Sequence, residues 1–183
     1  MTSSVHPVVD LLGQMISIPS TSEQELEVGI FLEKYLQNLG WTVERVAIHP
    51  GSNRYNVYAY LGSTRKTRVM LTSHMDTVPP HIPLELDLDA GIVWGRGACD
   101  DQGPLAAMIW AAKELQEQGK VKEGDLSLLF VVGEEKGGPG MLAANDLGLT
   151  WESIIFGEPT EGKLAKGHKG HVVFELTANG KAW

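Results

Sequence analysis

The chain has 183 residues, 43% of them hydrophobic and 21% charged, which is enough apolar material to fold and bury a core. Its 15 Lys+Arg stand against 23 Asp+Glu, a formal net charge of −8 and the opposite of what a nucleic-acid or anionic-membrane binder carries. A single cysteine excludes an internal disulfide framework, residues 1–6 hold no Lys or Arg to open a signal peptide, and no apolar run approaches the roughly 18 residues of a membrane span, so a soluble, cytoplasmic chain is expected.

In chain order, Val8, Val9, Leu11, Leu12, Met15 and Ile16 recur at helical spacing until Pro19 stops the run. Ser22 and Glu25 have the spacing of a capping box, and the helix they open is expected to bury Leu26, Ile30, Phe31, Tyr35, Leu36 and Leu39 before Gly40 ends it. Strands are expected over 41–48, 56–61 and 69–71, the last apolar throughout as in a strand covered on both faces. A hairpin follows over 84–94, turning at Asp89-Ala90-Gly91. Next come a helix with Pro104 in its first turn, a strand over 126–132, a short helix over 141–147 and a strand over 153–156. This succession of strands and helices predicts an α/β fold with parallel pairing and right-handed crossovers. From His171 to Ala178 the residues alternate again, as if an antiparallel sheet were beginning, and the pattern breaks off at Trp183 as though the chain were cut.

Ligands of an open α/β sheet bind beyond the carboxyl ends of its strands. His74 and Asp76 follow one strand, Glu134 and Glu135 a second, Glu158 a third, and Asp100 precedes the Pro104 helix. Each has an ordinary explanation alone: a histidine after a strand, a solvated Glu-Glu turn, an aspartate capping a helix. Placed together at one edge, five carboxylates would repel strongly unless a cation neutralised them. One imidazole with several carboxylates and no thiolate suits zinc, with manganese or cobalt as substitutes. Asp76, two residues after His74, is placed to hold the second ring nitrogen. Adjacent Glu134 and Glu135 do not easily face one atom, so one could ligate while the other serves as general base.

As a set, Ser73-His74-Met75-Asp76-Thr77-Val78, Gly95-Arg96-Gly97-Ala98-Cys99-Asp100-Asp101-Gln102-Gly103, Gly133-Glu134-Glu135 and Gly157-Glu158-Pro159-Thr160 resemble a family of dinuclear zinc hydrolases. It is the family of acetylornithine deacetylase, succinyl-diaminopimelate desuccinylase, aminoacylase, carnosine dipeptidase and glutamate carboxypeptidase, and the resemblance runs from about residue 5 to the C-terminus. It implies a three-layer sandwich with a mainly parallel central sheet, with residues 1–170 as part of the catalytic domain and 171–183 as the start of a dimerisation domain. It further implies that His74, Asp100 and Glu158 hold one zinc and that Asp100 bridges to a second zinc held by Glu135. Glu134 would then be the general base and Asp76 the partner of His74. The spacing from Gly95 favours Asp100 over Asp101 as ligand, leaving Asp101 as a charge at a helix N-terminus. Gln102 stands where the family often has lysine.

Two metals sharing one ligand need one donor more than His74, Asp100, Glu135 and Glu158 supply. The family takes it from a histidine far downstream, and His168 and His171 are the local candidates. Cys99 is expected to be a small buried residue rather than a thiolate ligand. The implied reaction is hydrolysis of an amide bond in an N-acyl amino acid or short peptide, and residues 71–80 lean towards acetylornithine deacetylase. Carboxypeptidase or dipeptidase activity of the same family is the alternative, and the full-length protein would be a homodimer. A non-catalytic binding fragment is the reading from another class, and a base at Glu134 argues against it. No dinucleotide fingerprint, Gly-x-Ser-x-Gly elbow or phosphate-binding Gly-Lys-Ser/Thr loop occurs.

Overall fold

A computed structural model describes residues 5–167, 169–170, 172 and 174–181. Helix α1 (Pro7–Ile16) opens with Pro7 at its first turn and His6 as N-cap, the ring nitrogen accepting from the Val8 amide, and it buries Leu11, Leu12, Met15 and Ile16. Helix α2 (Leu26–Asn38) precedes strands β1 (Thr42–Ala47), β2 (Tyr55–Tyr60) and β3 (Val69–His74). Strands β4 (Glu85–Asp87) and β5 (Ile92–Trp94) form the expected hairpin, and α3 (Gln102–Glu117), β6 (Leu126–Val131), α4 (Pro139–Asn145) and β7 (Ser153–Phe156) follow.

The main sheet has the order β1-β2-β6-β3-β7. Strands β3, β6 and β7 pair in parallel, β2 runs against β6, and β1 runs against β2. Four of the five strands therefore point the same way, which is the mainly parallel sheet expected. Strand β6 is buried along its whole length, as a strand covered on both faces must be. Leu126, Leu128 and Phe130 join α1, α2 and α3 in the larger core, whereas Leu129 and Val131 face Tyr58, Tyr60, Met70 and the α4 side. Helices thus cover both faces, making three layers. No helix among the described residues is long and apolar enough to cross a membrane.

Three expectations need correction. Ser22 and Glu25 form no capping box: Glu25 occupies the N-cap position of α2 without a side-chain cap bond, and both side chains are engaged elsewhere, as shown below. The buried stripe of α2 is Val28, Leu32 and Leu36, with Gly29 against the Tyr55 ring, while Leu26, Ile30, Phe31, Tyr35 and Leu39 are only partly covered. Beyond residue 170, Val172 and residues 174–178 are exposed and belong to no strand, because no partner among the described residues satisfies their backbone. His168, His171 and Val173 lie outside the described residues.

Candidate metal centre

The parallel pairing of β3, β6 and β7 places the ends of all three strands at one sheet edge. His74 is the last residue of β3, in register with Val131 of β6, and Glu134 and Glu135 follow three and four residues after Val131. Glu158 leaves β7 just beyond Phe156, which pairs with Thr72. The start of α3 brings in Asp100 and Asp101, and this tight entry requires Gly103, whose Cβ position is occupied by the Ala98 carbonyl. Helix α3 also directs its positive end towards the same carboxylates.

His74 lies at the centre and is 1% exposed. Its Nδ1 donates to the Asp76 carbonyl at 2.9 Å, and because that partner can only accept, Nδ1 carries the ring proton. In the neutral ring Nε2 is then a lone pair, directed at Asp100 Oδ1 (3.0 Å), Glu134 Oε2 (3.9 Å) and Glu158 Oε1 (4.0 Å). Burial alone would depress the imidazole pKa. The Asp76 carboxylate and the charges of Asp101 and Glu134 override it and push it up to about 10. A proton on Nε2 thus occupies the place where a metal cation would satisfy the same charges.

Around the ring the carboxylates divide by depth. Asp76 and Asp101 are fully buried, whereas Asp100, Glu134 and Glu158 are half exposed and leave the centre open to solvent on that side. Asp76 Oδ2 accepts from the Ser22 hydroxyl (2.8 Å) and the Glu135 amide (3.2 Å), and Oδ1 from the Glu134 amide (3.0 Å). Burial raises its pKa, but the nearby His74 ring and hydrogen bonds from Ser22 and the Glu134 amide hold it below the ordinary value. Asp101 Oδ2 accepts from the Ser73 hydroxyl at 2.6 Å, and burial, opposed by that bond and by His74, pushes its pKa up to about 7. Glu135 is raised by burial and by the neighbouring Asp100 charge.

Possible ligand atoms of His74, Asp100 and Glu135 lie within 4.8 Å of one another, and those of His74, Asp101 and Glu158 do the same. Asp101 Oδ1 is buried with no hydrogen-bond partner among the described residues. A hard or borderline divalent ion fits this oxygen-rich set with its single imidazole, and an orphaned carboxylate oxygen inside it is what removal of a cation leaves behind.

Residues 70–178, which contain all four motifs, match peptidase family M20/M25/M40. The chain belongs to this family. It is 51% identical over 178 residues to a peptidase M20 domain-containing protein of Schizosaccharomyces pombe, covering 96% of this chain and 44% of that protein. It is 40% identical over 192 residues to a protein of Aspergillus clavatus named a probable carboxypeptidase, covering 98% and 45% respectively. Among solved structures, a tripeptidase from Staphylococcus aureus superposes with a TM-score of 0.68 at 27% identity, over 81% of this chain and 42% of that one. The chain therefore spans a little under half the length of these relatives.

Within this M20 chain the structure brings His74, Asp76, Asp100, Glu134, Glu135 and Glu158 to one place. The grouping differs in detail from the sequence reading, since Glu158 clusters with Asp101 rather than with Asp100. Asp101 sits at the N-cap of α3 yet makes no cap bond, its carboxylate turning towards Ser73 and His74 instead. The Asp76 carboxylate is 3.6 Å from His74 Nδ1, whose hydrogen bond goes to the Asp76 carbonyl. Sequence reasoning missed Ser22, Ser73 and Arg54 as supports. Ser22 shows in the sequence only through its spacing to Glu25, which reads equally well as a helix cap. Cys99, expected to be buried, is exposed.

Proposed function

We propose that this chain is the metal-holding part of a hydrolase that cleaves an amide bond in a short peptide or N-acyl amino acid. The observation that carries the reading is the convergence of Asp100, Glu134 and Glu158 on the lone-pair face of a buried His74 whose other nitrogen is already committed. His74, Asp100 and Glu158 would hold one zinc ion, and Asp100 with Glu135 a second, with cobalt or manganese able to substitute. When bound, such a pair supplies a Lewis acid for the scissile carbonyl and acidifies the attacking water. Asp76 fixes the loop through the Glu134 and Glu135 amides and, with its carbonyl, sets the His74 tautomer. Glu134, half exposed beside the centre, takes the proton of the attacking water and delivers it to the leaving nitrogen.

The names of the Aspergillus clavatus and Staphylococcus aureus relatives favour a peptide substrate with a free terminus. Specificity like that of acetylornithine deacetylase is the narrower alternative within the same chemistry, and competition between a dipeptide and N-acetylornithine separates the two. In this reading residues 1–170 are catalytic domain, 171–183 begin a dimerisation domain, and the longer protein is a cytoplasmic homodimer. The test is Glu134→Gln in the full-length protein. Metal content should stay at the parent level while kcat falls by about 10²- to 10⁴-fold. Activity within tenfold of the parent would remove Glu134 from the role of base.

A further inference from the structure

The loop that carries Glu134 and Glu135 is held from the front by Asp76 and from behind by residues that never touch the centre. Arg54 immediately precedes β2, and its Nη2 lies 2.8 Å from where a Cβ on Gly133 would stand, so the guanidinium backs directly onto the residue before Glu134. Gly133 itself adopts φ +68°, and any side chain there would meet both Arg54 and Pro139. Arg54 is in turn locked by Glu25, with Nε to Oε2 at 2.9 Å and Nη2 to Oε1 at 2.6 Å, a two-pronged pair whose carboxylate is fully buried. Glu25 Oε1 also accepts the Glu23 amide, and Glu23 reaches Lys136 of the same loop at 2.9 Å. Two residues further along, Asn56 accepts from the Val132 amide (3.2 Å) and donates to the Gly140 carbonyl (2.7 Å), pinning the chain on both sides of the loop.

A buried ion pair is costly to desolvate, and an apolar pair of similar shape often stabilises a fold as well or better. Here the pair is spent on the back of one loop. We propose that Arg54, fixed by Glu25, is a positioning residue that holds the 133–136 loop where Glu134 and Glu135 face His74. The inference rests on the roles assigned above to those two glutamates. It also explains why Ser22 and Glu25, spaced as a helix cap, cap nothing: Ser22 braces Asp76 and Glu25 braces Arg54, so one short segment supports the loop from both sides.

The experiment uses the full-length protein with Arg54→Lys, which keeps the charge and loses the fork, and with Arg54→Met/Glu25→Gln, which leaves no buried charge unpaired. Amide exchange is followed in the metal-free state, where no activity is involved. Exchange over 133–136 should rise about tenfold or more while β6 and α2 keep their parental protection. In the metal-loaded protein kcat should fall about 10- to 100-fold, as for other residues that orient ligands, with KM within about twofold. Unchanged exchange over 133–136, or an equal rise in β6 and α2, would overturn the proposal and leave a pair that only joins α2 to β2. Because the exchange readout needs no turnover, a failure of Glu134→Gln to reduce activity would sink the proposed function without deciding this outcome.

Discussion

Asp76 and Glu123 are both held ionised, by different means. Asp76 is buried, and three donors outweigh the burial. Glu123 is on the surface, and its Oε1 gathers the amides and hydroxyls of both Ser63 and Thr64 at 2.6–2.9 Å. These bonds, Thr64 foremost, lower its pKa from 4.5 to about 2. The folded state therefore binds fewer protons than the unfolded state between those two values. The stabilisation is fully present above pH 4.5 and is lost as pH falls through about 2. The difference in Tm between the parent and Glu123→Gln should accordingly be largest near neutrality and shrink as pH approaches 2. Melting both proteins across that range checks it, and a difference independent of pH would mean the bonds to Ser63 and Thr64 do not depend on the charge.

Among the elements, β6 does most to hold the molecule together, because it lies between β2 and β3 and is covered on both faces. Phe130 is fully buried there, paired with Val57 on one side and Ser73 on the other. Phe130→Ala should cost about 3–5 kcal/mol, whereas Leu115→Ala on the outer part of α3 should stay within about 0.5 kcal/mol. Chemical denaturation midpoints measure both, and a Phe130 effect no larger than that at Leu115 would contradict the assignment of β6 to the core. Strand β6 is legible in the sequence because a fully covered strand is a short apolar run, and β3 shares the apolar start although Val69 and Leu71 are only partly covered. The buried face of α2 is less legible. Its partner Tyr55 lies far along the chain, and Gly29, which packs against the Tyr55 ring, is invisible to an apolar count. At the metal centre His74, Glu135 and Glu158 are marked by their position at or after strand ends, and Asp100 by its place just before the Pro104 helix. The alignment of Asp101 with Glu158 and the support from Arg54 arise only when separate segments meet in space.

On the scale of the whole molecule, the formal charge of −8 is unevenly spent. Asp76, Asp100, Asp101, Glu134, Glu135 and Glu158 surround one imidazole at a single edge of the sheet. Without a metal, the His74 proton and the backbone and hydroxyl donors oppose part of their repulsion, and a divalent ion would neutralise more of it. Metal binding and global stability should therefore be linked. With free zinc at about 100 times its dissociation constant, stabilisation by mass action is about 2.7 kcal/mol, or roughly 5–10 °C in Tm for a chain of this size. Salt supplies a second handle, because screening at high ionic strength weakens the repulsion between the half-exposed carboxylates. Raising the salt should increase Tm more in the chelator-treated protein than in the zinc-loaded one. Asp100→Asn, which removes one charge and one ligand, should raise the metal-free Tm and diminish the zinc-induced rise, while Glu134→Gln should preserve most of that rise. Calorimetric melts of the parent and both variants, with zinc and with chelator, separate these effects. A zinc-independent Tm in the parent would show that the carboxylate edge is stable without a cation and would remove the physical basis for placing a metal there.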